Sequence, residues 1–271
     1  MGKKARLLFS WDEYDRLRKI PVNVSAVRDD MEQYVGKPYV DVPNPFGDAK
    51  GCSTYFHGIA TDYGTVNING GTVAILSSGL GMGIEIAAMY EEDGSLSDTV
   101  GAHLNVSGGN LYFNRMNVND HPLALYVFGQ ATADITGGTF HVYDQTFYLE
   151  GASSWNNAVF EGNGAFFVAD HLSLESGTIH ITNDGYLGLG EENYLIGGTI
   201  DLDNSYMEIE GYANIMDNAV VDIDMDISEL LSTEAENGGY DDFVLRINGK
   251  LDIMDDAKID IDINTADELY A

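Results

Sequence analysis

The stretch Leu172-Ser-Leu-Glu-Ser-Gly-Thr-Ile-His-Ile181 decides the fold. Apolar and polar residues alternate on both sides of a Ser-Gly corner, a period of two that predicts short strands around a tight bend. The same unit stands upstream as Val66-Asn-Ile-Asn-Gly-Gly-Thr-Val-Ala-Ile75, Leu104-Asn-Val-Ser-Gly-Gly-Asn-Leu-Tyr-Phe113 and Ala133-Asp-Ile-Thr-Gly-Gly-Thr-Phe-His-Val142. Downstream it returns as Tyr194–Leu202, Ala213–Ile223 and Leu245–Ile253. Taken at Gly71, Gly109, Gly138, Gly177, Gly198, Asn218 and Gly249, the corners are 38, 29, 39, 21, 20 and 31 residues apart. A unit of about 20 residues suits three short strands, one turn of a solenoid. The longer intervals are two units, or one unit with a polar insertion at 114–121 or 228–239. The competing reading is a series of antiparallel hairpins or a β-sandwich, for which Asn69-Gly70 is a strong turn signal.

Working outward, the chain has two composition regimes. Residues 1–50 hold nine Lys/Arg against eight Asp/Glu, a net of +1, whereas residues 51–271 hold four against thirty-six, a net of −32. The sequence therefore predicts a segment over 1–50 and an all-β body over 51–271. In the first, Ser10 with Glu13 reads as a capping box opening a helix that Pro21 ends, and a second short helix fits 25–34. Pro38, Pro43 and Pro45 mark an extended connector. The expectation is a short helical cap, with an independent functional module or a remnant of an upstream domain as alternatives. No apolar run follows the basic start, so a secretory signal is not expected in this chain.

The Gly-Gly-Thr-Val and Gly-Gly-Thr-Phe units, preceded by alternating Asn or Asp, resemble the right-handed parallel β-helices of bacterial surface and carbohydrate-binding proteins, and more distantly the pectate-lyase-like superfamily. The resemblance spans about 54–263 and implies a right-handed parallel β-helix (β-solenoid). It also implies a module for adhesion or glycan binding at the cell surface or outside the cell. Alternatives are a virion tail-fibre or appendage component, and a polysaccharide lyase or hydrolase.

The chemistry of the enzyme alternative is thinly represented. Arg115 is the sole cation between residues 51 and 245, and Asp241-Asp242 and Asp255-Asp256 lack the companion motifs of the hydrolases. The six histidines show no local metal-ligand spacing, and Cys52 has no adjacent base. A non-catalytic module is the expectation. The net charge of −31 argues against a partner bound through phosphates, and no run of 18 apolar residues exists for membrane insertion. The partner expected is a glycan or a surface protein.

Two sets of candidate site residues follow. Tyr112, Tyr148 and Trp155 are expected to face outward as a carbohydrate-binding set, because exposed rings stack on sugar faces. Strict alternation in Val221–Ile227 and Ile259–Ile263 puts Asp222, Asp224 and Asp226 on one outward face and Asp260 and Asp262 on another. Stacked about 4.8 Å apart, such rows repel unless cations intervene, and hard oxygen ligands point to calcium. The alternative for these rows is a merely solvated acidic face.

Overall fold

A computed structural model describes residues 6–10, 56–61, 64–77, 81–90, 96–115, 123–226 and 244–264. They form an all-β body with parallel strands: every pairing in the two large sheets is parallel, and only a small ribbon, Ala88–Tyr90 with Leu96–Gly101, is antiparallel.

The chain repeats three short strands in order. Thr146–Leu149, Ser153–Trp155 and Ala158–Asn163 make one set, and Phe166–Ala169, Leu172–Leu174 and Gly177–Thr182 the next. Each strand pairs with its counterpart in the following set. On the first face Thr146, Phe166, Tyr186 and Tyr206 stand in register, 20 residues apart. The second face aligns Trp155, Leu174, Leu195, Ile215 and Ile253. The third aligns Phe160, Ile179, Ile200, Val221 and Ile259. The step from Met207 to Leu245 is longer because 227–243 intervene; the insertion expected at 228–239 lies outside the described residues.

Thr65–Ser77 is one bent strand paired parallel with His103–Arg115, and Asn69-Gly70 marks a register shift within it. The hairpin alternative fails there. At the corners, Gly177 has φ of 102° and a Cβ on it would stand 2.3 Å from the carbonyl oxygen of Ala158. Where the repeat lacks glycine, Asn157 and Asp217 take φ of 52° and 54°, a conformation that Asn and Asp tolerate best among side-chain-bearing residues.

Alternation buries every second residue, so the interior is a set of apolar rows. Val73, Leu111, Phe140, Phe160, Ile179, Ile200 and Val221 form one of them. Leu251 follows Gly249 as Ile179 follows Gly177, two residues on, yet it stacks on Ala213 of the second face, because Asn248-Gly249 is the corner between the first and second faces. Phe140, Phe147, Trp155, Phe160 and Phe167 interlock at the centre with ring centroids 5.0–6.2 Å apart.

Arg6–Ser10 is a strand that pairs parallel with Thr72–Leu76. Residues 11–55, which carry the expected helices and connector, lie outside the described residues.

Ile179 is fully buried between Phe160 and Ile200. Ile179→Asp places an unpaired carboxylate in an apolar row and is expected to destabilise the body by about 4 kcal/mol or more. Urea denaturation followed by far-UV circular dichroism measures it, with Thr178→Ser on the outward side as the near-neutral comparison.

Candidate functional site

The outward residues of the third face form rows as regular as the interior ones. Tyr112, His141, Glu161, His180, Asp201, Asp222 and Asp260 are consecutive partners in register. Two residues along each strand, Tyr143, Asn163, Thr182, Asp203, Asp224 and Asp262 make a parallel row. Asp226 continues beyond it opposite Asn264, and its backbone N–H donates to Oδ1 of Asn204 at 2.7 Å. The five aspartates singled out from sequence are therefore neighbours across one strand pair.

His180 is the centre of this surface. Its Nδ1 lies 3.2 Å from Oε2 of Glu161, and its Nε2 lies 3.4 Å from Oδ2 of Asp203 and 4.0 Å from Oδ2 of Asp201. Burial works against its charge, but hydrogen bonds to Glu161 and Asp203 and the charges of Asp201 and Glu161 prevail and raise its pKa. Burial and the carboxylates of Asp203, Asp222 and Asp224 raise the pKa of Asp201, against the opposing pull of His180. Asp224 is raised for the same kind of reason, by desolvation and by Asp222, Asp262 and Asp203. These carboxylates repel one another.

His141 occupies the same row as His180, but Glu161 separates the two. Its ring stacks on Tyr112 at 4.5 Å and 9°, and burial lowers its pKa even against the nearby Glu161. A single row thus holds two histidines with opposite shifts.

The three aromatic residues do not form a platform. Tyr112 is half-buried under His141 on the third face. Tyr148 lies on the first face, stacked on Tyr126 at 5.3 Å with its hydroxyl donating to Asp170 at 2.8 Å. Trp155 is wholly buried, its Nε1 donating to the carbonyl oxygen of Ala158 at 3.1 Å. The expectation that Trp155 is an exposed turn residue is wrong, because alternation through Ser153–Trp155 turns it into the core.

Sequence spacing missed the link between His180 and Asp201/Asp203. Their separations of 21 and 23 residues become contacts only when Gly177–Thr182 pairs parallel with Thr199–Asp203. The 20-residue step, applied to His180, is the signal that finds them.

Comparison with known proteins bears on the other end of the chain. Residues 1–64 match the family model described as tRNA synthetases class I (K). The chain is 49% identical over 45 residues to a lysine–tRNA ligase of Treponema pallidum, covering 17% of this chain and 8% of that protein. It is 46% identical over 46 residues to the lysine–tRNA ligase of Streptomyces coelicolor, again 17% and 8%. For the Pyrococcus furiosus lysine–tRNA ligase the figures are 38% over 58 residues, 21% and 10%. The chain therefore spans about a tenth or less of the length of these relatives. No solved structure matches the chain.

These matches correct several expectations. The relatives are tRNA ligases, hence enzymes, and not pectate-lyase-like or surface carbohydrate-binding proteins. The reading as a non-catalytic adhesion or glycan-binding module is set aside. So is the exclusion of nucleic acid, which rested on net charge averaged over two unlike regimes. Nine of the thirteen Lys/Arg fall inside the matched residues.

In chelated buffer, the ring protons of His141 and His180 are expected to titrate on opposite sides of about 6.5, the ordinary histidine value. His180, with its folded pKa raised, contributes stability that is fully present below that value and fades as pH rises through its folded pKa. His141, with its folded pKa lowered, contributes stability present above that value and lost as pH falls through its folded pKa. Two-dimensional NMR of the imidazole resonances, assigned with His141→Gln, gives both curves.

Repulsion in the row also predicts that Asp224→Asn raises the melting temperature on the order of 1–2 °C at low salt. The gain should shrink in about 1 M salt, where screening acts within about 3 Å. Differential scanning calorimetry at the two salt concentrations checks it.

Proposed function

We propose that the chain serves a lysine–tRNA ligase-type function in which residues 1–64 contact tRNA, carried on a right-handed parallel β-helix. The observation that supports the tRNA part is the coincidence of the family model and the curated relatives on the same terminal segment. That segment also holds Arg16, Arg18 and Lys19 together, a concentration of cations found nowhere in the body. Phosphate contact is driven by such local charge and by the counterions it releases.

The scaffold part of the reading rests on topology. Within one sheet, strands of successive sets run parallel and are joined by crossovers through the other faces. Such crossovers are overwhelmingly right-handed, because a right-twisted strand packs back onto its sheet only that way. In this reading the division falls between the basic segment and the acidic body, and Arg6–Ser10, paired with Thr72–Leu76, ties the two together. The body's charge of −32 repels RNA, so in this reading contact rests on the cations of residues 1–50.

The test is binding of unfractionated tRNA to the full chain across about 50 to 200 mM salt. Binding should weaken roughly twentyfold to fortyfold over that range for about three phosphate contacts. The triple variant Arg16→Glu, Arg18→Glu, Lys19→Glu should abolish it while leaving the circular dichroism of the body unchanged. Absence of binding at the lowest salt, or equal binding by the variant, would overturn the reading. Attachment of labelled lysine to tRNA in the same samples measures the ligase activity itself.

A further inference from the structure

We propose that His180, Asp201 and Asp203 form a binding site for one first-row divalent metal ion of the zinc type, oriented by Glu161. The site lies on the acidic body and is independent of the reading given to residues 1–64. One ligand atom from each of the three residues falls within 4.8 Å of the others. Nε2 of His180 stands 3.4 Å from Oδ2 of Asp203 and 4.0 Å from Oδ2 of Asp201. Ligands on a tetrahedral ion at about 2.0–2.1 Å lie roughly 3.3 Å apart, so small side-chain movements close the triad around an ion.

The imidazole distinguishes this cluster from the carboxylates around it. Metal-bound histidine almost always gives its other ring N–H to a carboxylate or carbonyl, which fixes the tautomer and aims the lone pair. Glu161 stands in that position, 3.2 Å from Nδ1. With Nδ1–H donated to Glu161, the lone pair on Nε2 points to where Asp201 and Asp203 converge. The backbone holds the arrangement: Glu161, His180 and Asp201 are direct partners on three successive strands, and Asp203 follows two residues along the last. Asp222 and Asp224, one strand further, add negative charge that a dication relieves. A nitrogen donor with carboxylates selects zinc-type ions over calcium, which prefers oxygen donors alone.

The test uses the full chain stripped of metal. Isothermal titration with Zn²⁺ compares the wild type with His180→Asn, Asp203→Asn and Glu161→Gln, each checked by circular dichroism and melting in chelator. The wild type should bind one more equivalent than His180→Asn or Asp203→Asn, and Glu161→Gln should weaken that equivalent about 10- to 100-fold. An excess of Ca²⁺ should not displace it. Equal stoichiometry and affinity in wild type and His180→Asn, or displacement by Ca²⁺, would show a diffuse carboxylate surface instead and overturn the proposal. Should a variant fail to fold, the wild type still decides the matter by NMR. Added Zn²⁺ must shift the His180 ring resonances and leave those of His141 in place, and unchanged His180 resonances refute the site.

Discussion

In-register parallel stacking is the constraint from which the rest of this structure follows. Each strand donates and accepts its ladder of hydrogen bonds against a strand about 20 residues on, and the register scarcely varies from Thr146 to Ile209. Every residue therefore lies about 4.8 Å from its own counterpart. Inside, this places Phe160 on Ile179 and Ile179 on Ile200, and dispersion and the exclusion of water both favour the match. Outside, the same rule sets Asp201 on Asp222 and Asp222 on Asp260, and the match is repulsive. The favourable and unfavourable rows share one backbone, so neither can be relieved by a change of register: a slip of one residue would send the apolar rows to solvent.

The alternation was legible because it is a local property of the chain. It identified all-β structure, the inward side of the strands around the glycine corners and the outward aspartates of 222–226 and 260–262 without any knowledge of pairing. Assignment to faces needed the corners, and there glycine was an incomplete guide. Asn157 and Asp217 take positive φ near their corners without being glycine, so the strand bearing Phe160 carries no glycine signature and its row follows only from the pairing. Gly249, conversely, turns a different corner, so the like offset of Leu251 and Ile179 from a glycine does not put the two in one row. Trp155 was misjudged because Ser153-Ser154 and Asn156-Asn157 read as a loop, whereas three residues of alternation suffice for a strand once neighbours supply both ladders. The triad around His180 was beyond local pattern altogether, since its members meet only across a turn.

Charge illustrates the danger of averaging along a sequence. A net of −31 describes neither part of the chain: the first 50 residues are near neutral and rich in cations, and the remainder holds almost all the excess acid. Electrostatic contact with a polyanion is decided over a Debye length of about 10 Å, so a charge averaged over the whole chain does not decide it. Composition marked the boundary near Gly51, and the match over residues 1–64 falls on the basic side of it and slightly beyond. The match carries information that periodicity could not supply, because the motif of the body is simple enough to recur in unrelated proteins.

The order of groups along the third face concentrates its electrostatics at one point. From Tyr112 the row passes through His141 and Glu161 to His180 and then into Asp201, Asp222 and Asp260. At the far end Lys258 is ion-paired with Asp260, and at the near end His180 meets Glu161, Asp201 and Asp203. Repulsion is consequently greatest between these two ends, and the raised pKa values of Asp201 and Asp224 register it. Positive charge lowers this energy most when it sits within a few ångströms of several carboxylates at once, because the Coulomb attraction falls with distance and with screening. The space bounded by Nε2 of His180 and the carboxylates of Asp201 and Asp203 satisfies that condition and also presents a nitrogen donor. A proton on the imidazole supplies one unit of charge there; a divalent ion supplies two, and binds the carboxylate oxygens directly.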